Sequence, residues 1–442
     1  MSLLQQIADA GIVGCGGAGF PTDLKYGGEV EHLIINAAEC EPLLQTDKYL
    51  MRSFADRIVR GICAVKGEFN IPVCTIALKA EYVREIAALK KAIDAESADI
   101  RIFEMDSFYP AGDEQTMVFE VTGRIVPPGK IPASVGCVVD NVGTMLAIGD
   151  ALDGKPLCEK YVTVAGETAE SVIVKTPVGT PVNRCIEAAG GANVPDYTVV
   201  IGGPMMGRRL TREEAEKEVV TKTTSGILVF RNDGNNGKPD LAKMINRAKS
   251  CCIQCSTCTQ LCPRSLLGHP LAVHKIMRAV SHCGDPEELF ESTVIRAARL
   301  CCECGICEEY ACPMGLAPRR INAWLKKELN ERRIPPEPAV CEPEADLERD
   351  YRKIPTKRLA GRLGLAGYAK EISGVVTLHP DTVEIPLKMH IGPAAEPVAS
   401  VGQRVSAGEL IARRPAPGKG ANIHTGVSGT VVSVGERIVI RA

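Results

Sequence analysis

Aromatic residues are scarce in this sequence: Phe, Trp and Tyr make up 4% of it, with a single Trp. Proteins that hold single-stranded nucleic acid stack bases on such rings, so that class is set aside. An excess of charge is missing too. The net charge is −2, which leaves no electrostatic footprint for nucleic acid or an anionic membrane surface. No stretch of about 18 uncharged apolar residues exists, so no membrane span is expected. Met1 to Gly14 has no basic region followed by an apolar core. No export signal is read there, and a cytoplasmic chain is expected.

Cysteine is in surplus: the 442 residues, long enough for two to four domains, include 19 of them. In a reducing cytosol disulfides are a poor explanation. The count is odd, and ten crowd into Cys251–Cys262 and Cys301–Cys312. Crowding of that kind points to metal.

From Leu33 to about Asp150, short apolar runs alternate with 3.6-period stretches. Leu33–Asn36, Val73–Leu78 and Ile100–Phe103 read as strands. Leu50, Phe54, Ile58, Val59 and Ile62 mark one amphipathic stretch, and Tyr82–Ile93 is helical. This is the pattern of βαβ units and a parallel sheet. Pro127, Pro128 and Pro132 mark an irregular loop. Tyr161–Ala165, Ser171–Lys175 and Tyr197–Ile201 read as strands and Val182–Ala189 as a helix, giving a small α+β unit. Residues 232–239 and 334–344 read as linkers. The stretch 241–330 is helical between the cysteine runs. From Val383 onward, short glycine-broken strands suggest a small barrel or sandwich.

The first cysteine run, Cys252, Cys255, Cys258 and Cys262 before Pro263, is C-x2-C-x2-C-x3-C-P, the bacterial ferredoxin spacing. The second, Cys301, Cys304, Cys307 and Cys312 before Pro313, has one extra residue before its last cysteine. Three thiolates spaced by two residues reach three corners of one cube from a tight loop. The cysteine before proline turns away and ligates the other cluster. The expected sets are therefore Cys252, Cys255, Cys258 and Cys312 on one [4Fe–4S] cluster, and Cys301, Cys304, Cys307 and Cys262 on the second. Zinc or idle thiols are the alternatives, although zinc sites do not need four cysteines ending in proline. The C-x2-C register leaves Cys251 and Cys302 as spectators. Cys63, Cys74, Cys137, Cys158 and Cys185 read as small core residues.

Gly11 to Thr22 is glycine-rich but is not the G-x-G-x-x-G fingerprint, which follows a strand. Its glycines let backbone N–H groups approach a flat or anionic ligand; a tight turn is the alternative.

VGCGGAGFPTDLK, NAAECEP, YPAGDE and DNVGT together resemble the flavin- and NADH-binding module of the complex I flavoprotein subunit. With GGPMMG, the two cysteine runs, GHPLAVHKIMRAV and KMHIGPAAEPVASVGQRV, the chain resembles the C subunit of the Rnf complex. It is similar above all to the cobalamin-reductase family of propanediol-utilisation microcompartments. The likeness covers nearly the whole chain. It implies a multidomain α/β architecture: a Rossmann-like FMN/NADH domain at 1–155, an SLBB-type β-grasp domain at 156–231, a helical two-[4Fe–4S] ferredoxin-like domain at 240–333 and a barrel-sandwich hybrid at 375–442. It also implies that Gly16, Gly17, Phe20 and Lys25 hold FMN and the nicotinamide. Asn36 and Glu39 would lie by the flavin and Glu41 on the NADH side. Tyr109, Gly112 and Glu114 would line the nicotinamide pocket, and Asn141 and Thr144 the flavin. The chain departs from the complex I pattern at Cys15, Ala38 and Asp140, so flavin contacts at 38 and 140 are not carried over. From the residues alone, Glu39 and Glu41 could also be solvated acids before a proline turn, and Tyr109 a packing residue.

The resemblance implies an NADH-dependent reductase that passes electrons through FMN and two clusters to the cobalt of a corrinoid. No D-x-H-x-x-G corrinoid signature is present, so the corrinoid would sit on a partner such as a cobalamin adenosyltransferase, in or on a microcompartment with its shell proteins. The alternative is an Rnf-like electron conduit that does not use NADH. His269 and His274 read as packing or hydrogen-bonding residues. The C-terminal unit has no lysine in a carrier-modification context, so no covalent cofactor is expected.

Overall fold

The computed structural model describes residues 1–232, 240–283, 286–337, 342–415 and 418–442. Strands His32–Asn36, Val73–Lys79, Arg101–Met105 and Cys137–Asn141 form a wholly parallel sheet. Side chains alternate across its faces, as strand geometry requires. Leu33 and Ile35 enter one core with Ile58 and Ile62 of helix Ala55–Glu68 and Met145 of helix Val142–Ala151. Ile34 enters a second core with Met117 and Val118 of helix Glu114–Thr122. Burial on both faces is why these strands read as unbroken apolar runs. Each such side chain contributes about 1.5–3 kcal/mol.

The spatial order places His32–Asn36 between Val73–Lys79 and Cys137–Asn141. The chain winds outward from the first strand in one direction, then returns on its other side. A crevice therefore opens at the carboxyl ends of these two strands, where open α/β sheets bind ligands. Asn36 and Asn141 face each other there in register.

The amphipathic stretch at 50–62 is two helices, not one: Thr46–Ser53 and Ala55–Glu68. Phe54 breaks them with φ −139°. Its ring packs on Tyr49 and Tyr161 and lies under Arg57, contacts that a continuous helix would forgo.

In the middle unit, the hairpin Glu159–Gly166 and Val172–Pro177 continues into Gly226–Arg231, Tyr197–Ile201 and Arg208–Leu210. Helix Val182–Ala188 packs on this sheet in a β-grasp arrangement. Strand Gly374–Thr377 completes the sheet from far along the chain, parallel to Val172–Pro177. The cysteine-rich unit is helical, with Leu241–Cys251, Val273–His282 and Pro318–Glu331 around Ile276, Ile321 and Leu325. The linker readings fall partly outside the described residues, at 233–239 and 338–341. Beyond the second linker, Ile354–Pro355 pairs with Phe108–Tyr109 of the first unit. Two small sheets close the C-terminal barrel around Ile385, Ile411 and Ile438. Among the described residues, no helix is long and apolar enough to cross a membrane.

Candidate functional site

A cavity of about 320 Å³ occupies the crevice at the sheet's carboxyl edge. Gly16, Gly17, Phe20 and Lys25 border it from the glycine-rich loop. Asn36 and Asn141 border it from the two strand ends and Thr144 from the first turn of helix Val142–Ala151, and Gly112 and Glu114 close one side. A Cβ on Gly16 would lie 2.9 Å from the Asn141 amide, too close for any side chain. A Cβ on Gly17 would meet nothing within 4 Å. The loop is thus pinned against Asn141 while leaving an open cradle, which fits a flat ligand. Asn141 also caps helix Val142–Ala151 by accepting from Gly143 N–H at 2.7 Å, and donates to Asp47 at 2.7 Å. Thr144 accepts from Cys15 N–H at 3.1 Å.

Lys25 is the cation of the cavity. It donates to Asp140 at 2.8 Å and to the Val139 carbonyl at 3.0 Å. Burial acts to lower its pKa, but the Asp140 and Glu114 carboxylates override this and hold it above the ordinary value. It stays protonated and can face a phosphate or a reduced, anionic ring. Asp140, left aside on the sequence because it departs from the related pattern, is the buried anchor of this lysine.

Glu39, Glu41 and Tyr109 do not border the cavity. Glu39 accepts from Asp47 N–H at 3.1 Å, and burial together with Asp47 raises its carboxyl to about 8. Glu41 accepts from Met205 and Met206 N–H, each at 2.9 Å, within the GGPMMG loop of the middle unit. Burial raises it to about 7 against those two donors. Tyr109 is buried, and its hydroxyl donates to the Cys304 carbonyl at 2.7 Å.

The segment 109–114 therefore has two sides. Gly112 and Glu114 face the cavity, while Tyr109 touches the second cysteine loop. Between them Asp113 caps helix Glu114–Thr122 and pairs with Arg264 through two bonds of 2.6 and 2.8 Å. Burial alone would raise Asp113, but the guanidinium outweighs it and holds the carboxyl below its usual value. Arg264 lies two residues after Cys262. Sequence reading missed this pair; only the N-cap position of Asp113 was open to recognition.

Cys252, Cys255, Cys258 and Cys312 border one small cavity. Cys262, Cys301, Cys304 and Cys307 border another, with Cys302 on its wall. The two loops share one backbone pattern. Residues 254 and 256 in the first, and 303 and 305 in the second, have positive φ, at 55°, 60°, 60° and 83°. These residues flank the middle cysteine, and the match sets Cys301, not Cys302, opposite Cys252. Donors reach the sulfurs: Gln254 to Cys252 at 3.1 Å, Glu303 N–H to Cys301 at 3.4 Å and Leu316 N–H to Cys312 at 3.4 Å. Four thiols in tight loops with N–H groups aimed at sulfur fit an iron–sulfur cluster. Among the described residues, no three such side chains converge on a point that one metal ion would fill. His274 bonds Thr259 at 2.8 Å and His269 the Val126 carbonyl at 2.9 Å, in the bonding roles expected of them.

Residues 7–150 match the Nuo51 FMN-binding domain, 251–317 the 4Fe-4S dicluster domain and 369–442 the RnfC barrel sandwich hybrid domain. The cobalamin reductase PduS of Citrobacter freundii is 36% identical over 99% of this chain and 96% of that protein. The cobalamin reductase PduS of Salmonella typhimurium is 38% identical over 98% of this chain and 95% of that protein. The C subunit of the proton-translocating ferredoxin:NAD(+) oxidoreductase complex of Clostridium ljungdahlii is 34% identical over 60% of this chain and 56% of that protein. Among solved structures, the NAD+-reducing [NiFe]-hydrogenase in its H2-reduced state shares the fold, with a TM-score of 0.50 and 20% identity over 76% of this chain and 62% of that one.

Proposed function

Because the chain belongs to the cobalamin reductase PduS family, and is an electron-transfer oxidoreductase with FMN and iron–sulfur cofactors, we propose that it is an NADH-dependent reductase of a corrinoid. One cluster would be held by Cys252, Cys255, Cys258 and Cys312, the other by Cys262, Cys301, Cys304 and Cys307. The acceptor would be the cobalt of a corrinoid carried by a partner such as an adenosyltransferase, in or on a microcompartment with its shell proteins. A bound flavin accepts a hydride's two electrons and releases them singly, which clusters require.

The observation that carries this reading is the segment 109–114. It borders the flavin cavity with Gly112 and Glu114 and touches the second cysteine loop with Tyr109. The chain's own residues do the positioning. Lys25 neutralises charge in the cavity, Gly16 and Gly17 open it, and Asp113–Arg264 locks the cysteine unit to its rim.

One observation favours a second reading, an electron conduit that does not use NADH. Glu41, which the resemblance put on the NADH side, is already engaged by two N–H groups of the GGPMMG loop.

Anaerobic purification followed by assay of iron, sulfide and flavin, then NADH, separates the two. About eight irons and one FMN, bleached by NADH, support the reductase. The same iron content without bleaching supports the conduit.

A further inference from the structure

The two cysteine sets meet solvent differently. Cys255 is exposed, whereas Cys262, Cys304 and Cys307 are buried. Ile253 and Met314, 62% and 39% exposed, border the cavity of the first set. Two apolar side chains in water are ordinary by themselves. What sets these apart is the charge around them.

The segment 241–283 contains no Asp or Glu. Its Lys243, Arg247 and Arg278 are exposed. Lys243 and Arg247 lie four apart on helix Leu241–Cys251, so they share a face. Arg247 reaches within 3.9 Å of the Cβ position of Gly315, next to Met314. Arg278 lies four residues after His274, and His274 borders the first cavity. Near the second set charges of both signs occur and are already paired, Arg264 with Asp113 among them. Glu303 binds Lys326 at 2.8 Å and Glu308 binds Arg320 at 3.0 Å.

We propose that the basic face around Cys252, Cys255, Cys258 and Cys312 is the docking surface for an acidic electron-accepting protein. The inference rests on the electron-transfer reading above and adds its exit and its partner's charge. An apolar centre with a like-charged rim is the anatomy of a steered, transient interface. One electron leaves per encounter: the chain's donor is oxidised by one, the partner's acceptor is reduced by one, and no bond changes. The buried second set, touched by Tyr109, lies on the flavin side.

The test uses the full holoprotein, reduced with dithionite and desalted, so that NADH plays no part. The probes are cytochrome b5, an acidic haem protein, and cytochrome c, a basic one. Binding is read by fluorescence anisotropy of the labelled probe, and electron transfer by stopped flow. Cytochrome b5 should bind and be reduced at about 20 mM salt and lose roughly tenfold in both at about 300 mM. The variant K243E/R247E/R278E, with iron and flavin unchanged, should lose roughly tenfold towards cytochrome b5 and gain towards cytochrome c. If it loses iron, the Gln variant at the same positions is used, and a smaller loss of the same sign is expected. Equal binding of both cytochromes, or cytochrome b5 binding indifferent to salt and to these substitutions, overturns the proposal. A protein inert to NADH that still binds cytochrome b5 in this way keeps the docking surface and removes only the NADH reading.

Discussion

Glu39 is half-buried, and its carboxyl accepts from the Asp47 N–H. Burial, and then the Asp47 charge, raise it from an ordinary value of 4.5 to about 8. The folded chain therefore holds a proton at neutral pH that the unfolded chain releases. The contribution to stability is present below about pH 4.5 and is lost as pH rises towards about 8. Glu39→Gln removes this dependence. The variant should melt at or below the wild-type temperature near pH 5 and about 2–4 °C above it near pH 8.5, as read by thermal scans of the holoprotein. A Tm difference that stays constant across that range would show that Glu39 does not carry the proton. The sequence marked Glu39 only through family resemblance. Its partner Asp47 follows it closely, yet nothing in the spacing says that the two carboxyls act on each other in the fold. The same is true of Asp113 and Arg264, 151 residues apart. Ion pairs of that kind leave no periodicity to read.

At the scale of elements, the extra residue of the second cysteine run finds a structural answer. Around Cys258 the chain makes the α-helical turn Thr257–Gln260, but around Cys307 it makes a π-helical turn, Ile306–Ala311. A π turn spends one more residue per hydrogen-bonded ring and so absorbs the insertion before Cys312. Gly305 opens that turn at φ +83°, with the Met205 carbonyl 3.2 Å from its Cβ position. A side chain there costs about 1–2 kcal/mol for the left-handed backbone alone, and more against the carbonyl. Gly305→Val should lower iron from about eight to about four per chain with flavin unchanged, because only one set is disturbed. Ser256→Gly, at the matching place in the first loop, should keep full iron. Full iron in Gly305→Val would refute the shared-loop reading. The elements themselves were legible wherever burial imposed a period. The parallel strands showed as apolar runs, the β-grasp hairpin as short strands and the two cysteine runs as fixed spacings. The break at Phe54 was not, because aromatic contacts with Tyr161 decide it. The crossing of Ile354–Pro355 onto Phe108–Tyr109 was also hidden, since a single buried residue, Ile354, packs on Tyr109 there and ion pairs of Arg349 and Lys353 with Glu120 hold its flank.

Across the whole molecule, the C-terminal barrel braces both ends of the glycine-rich loop. Ile391 N–H donates to Gly19 at 3.0 Å, and Arg414 pairs with Asp23. At the other end Lys222, from the middle unit, donates to the carbonyls of Gly11 and Asn422, each at 2.6 Å. One side chain thus ties three units together at the start of the loop that borders the cavity. Lys222 is 1% exposed, and burial lowers it from 10.5 to about 8. Between those values the unfolded chain binds a proton that the folded chain does not, so this group makes stability rise with pH across that window. Lys222→Met leaves two buried carbonyls without a donor, at about 1–3 kcal/mol each. It also removes the pH-dependent rise. The holoprotein variant should melt lower than wild type at pH 7.5, the gap should widen by pH 9.5, and flavin should be lost faster on dilution because Gly11 leads into the loop that borders its cavity. A gap that narrows as pH rises would mean that Lys222 keeps its charge in the fold through a partner other than these two carbonyls. Unchanged flavin release would mean that the loop stands without the barrel's support.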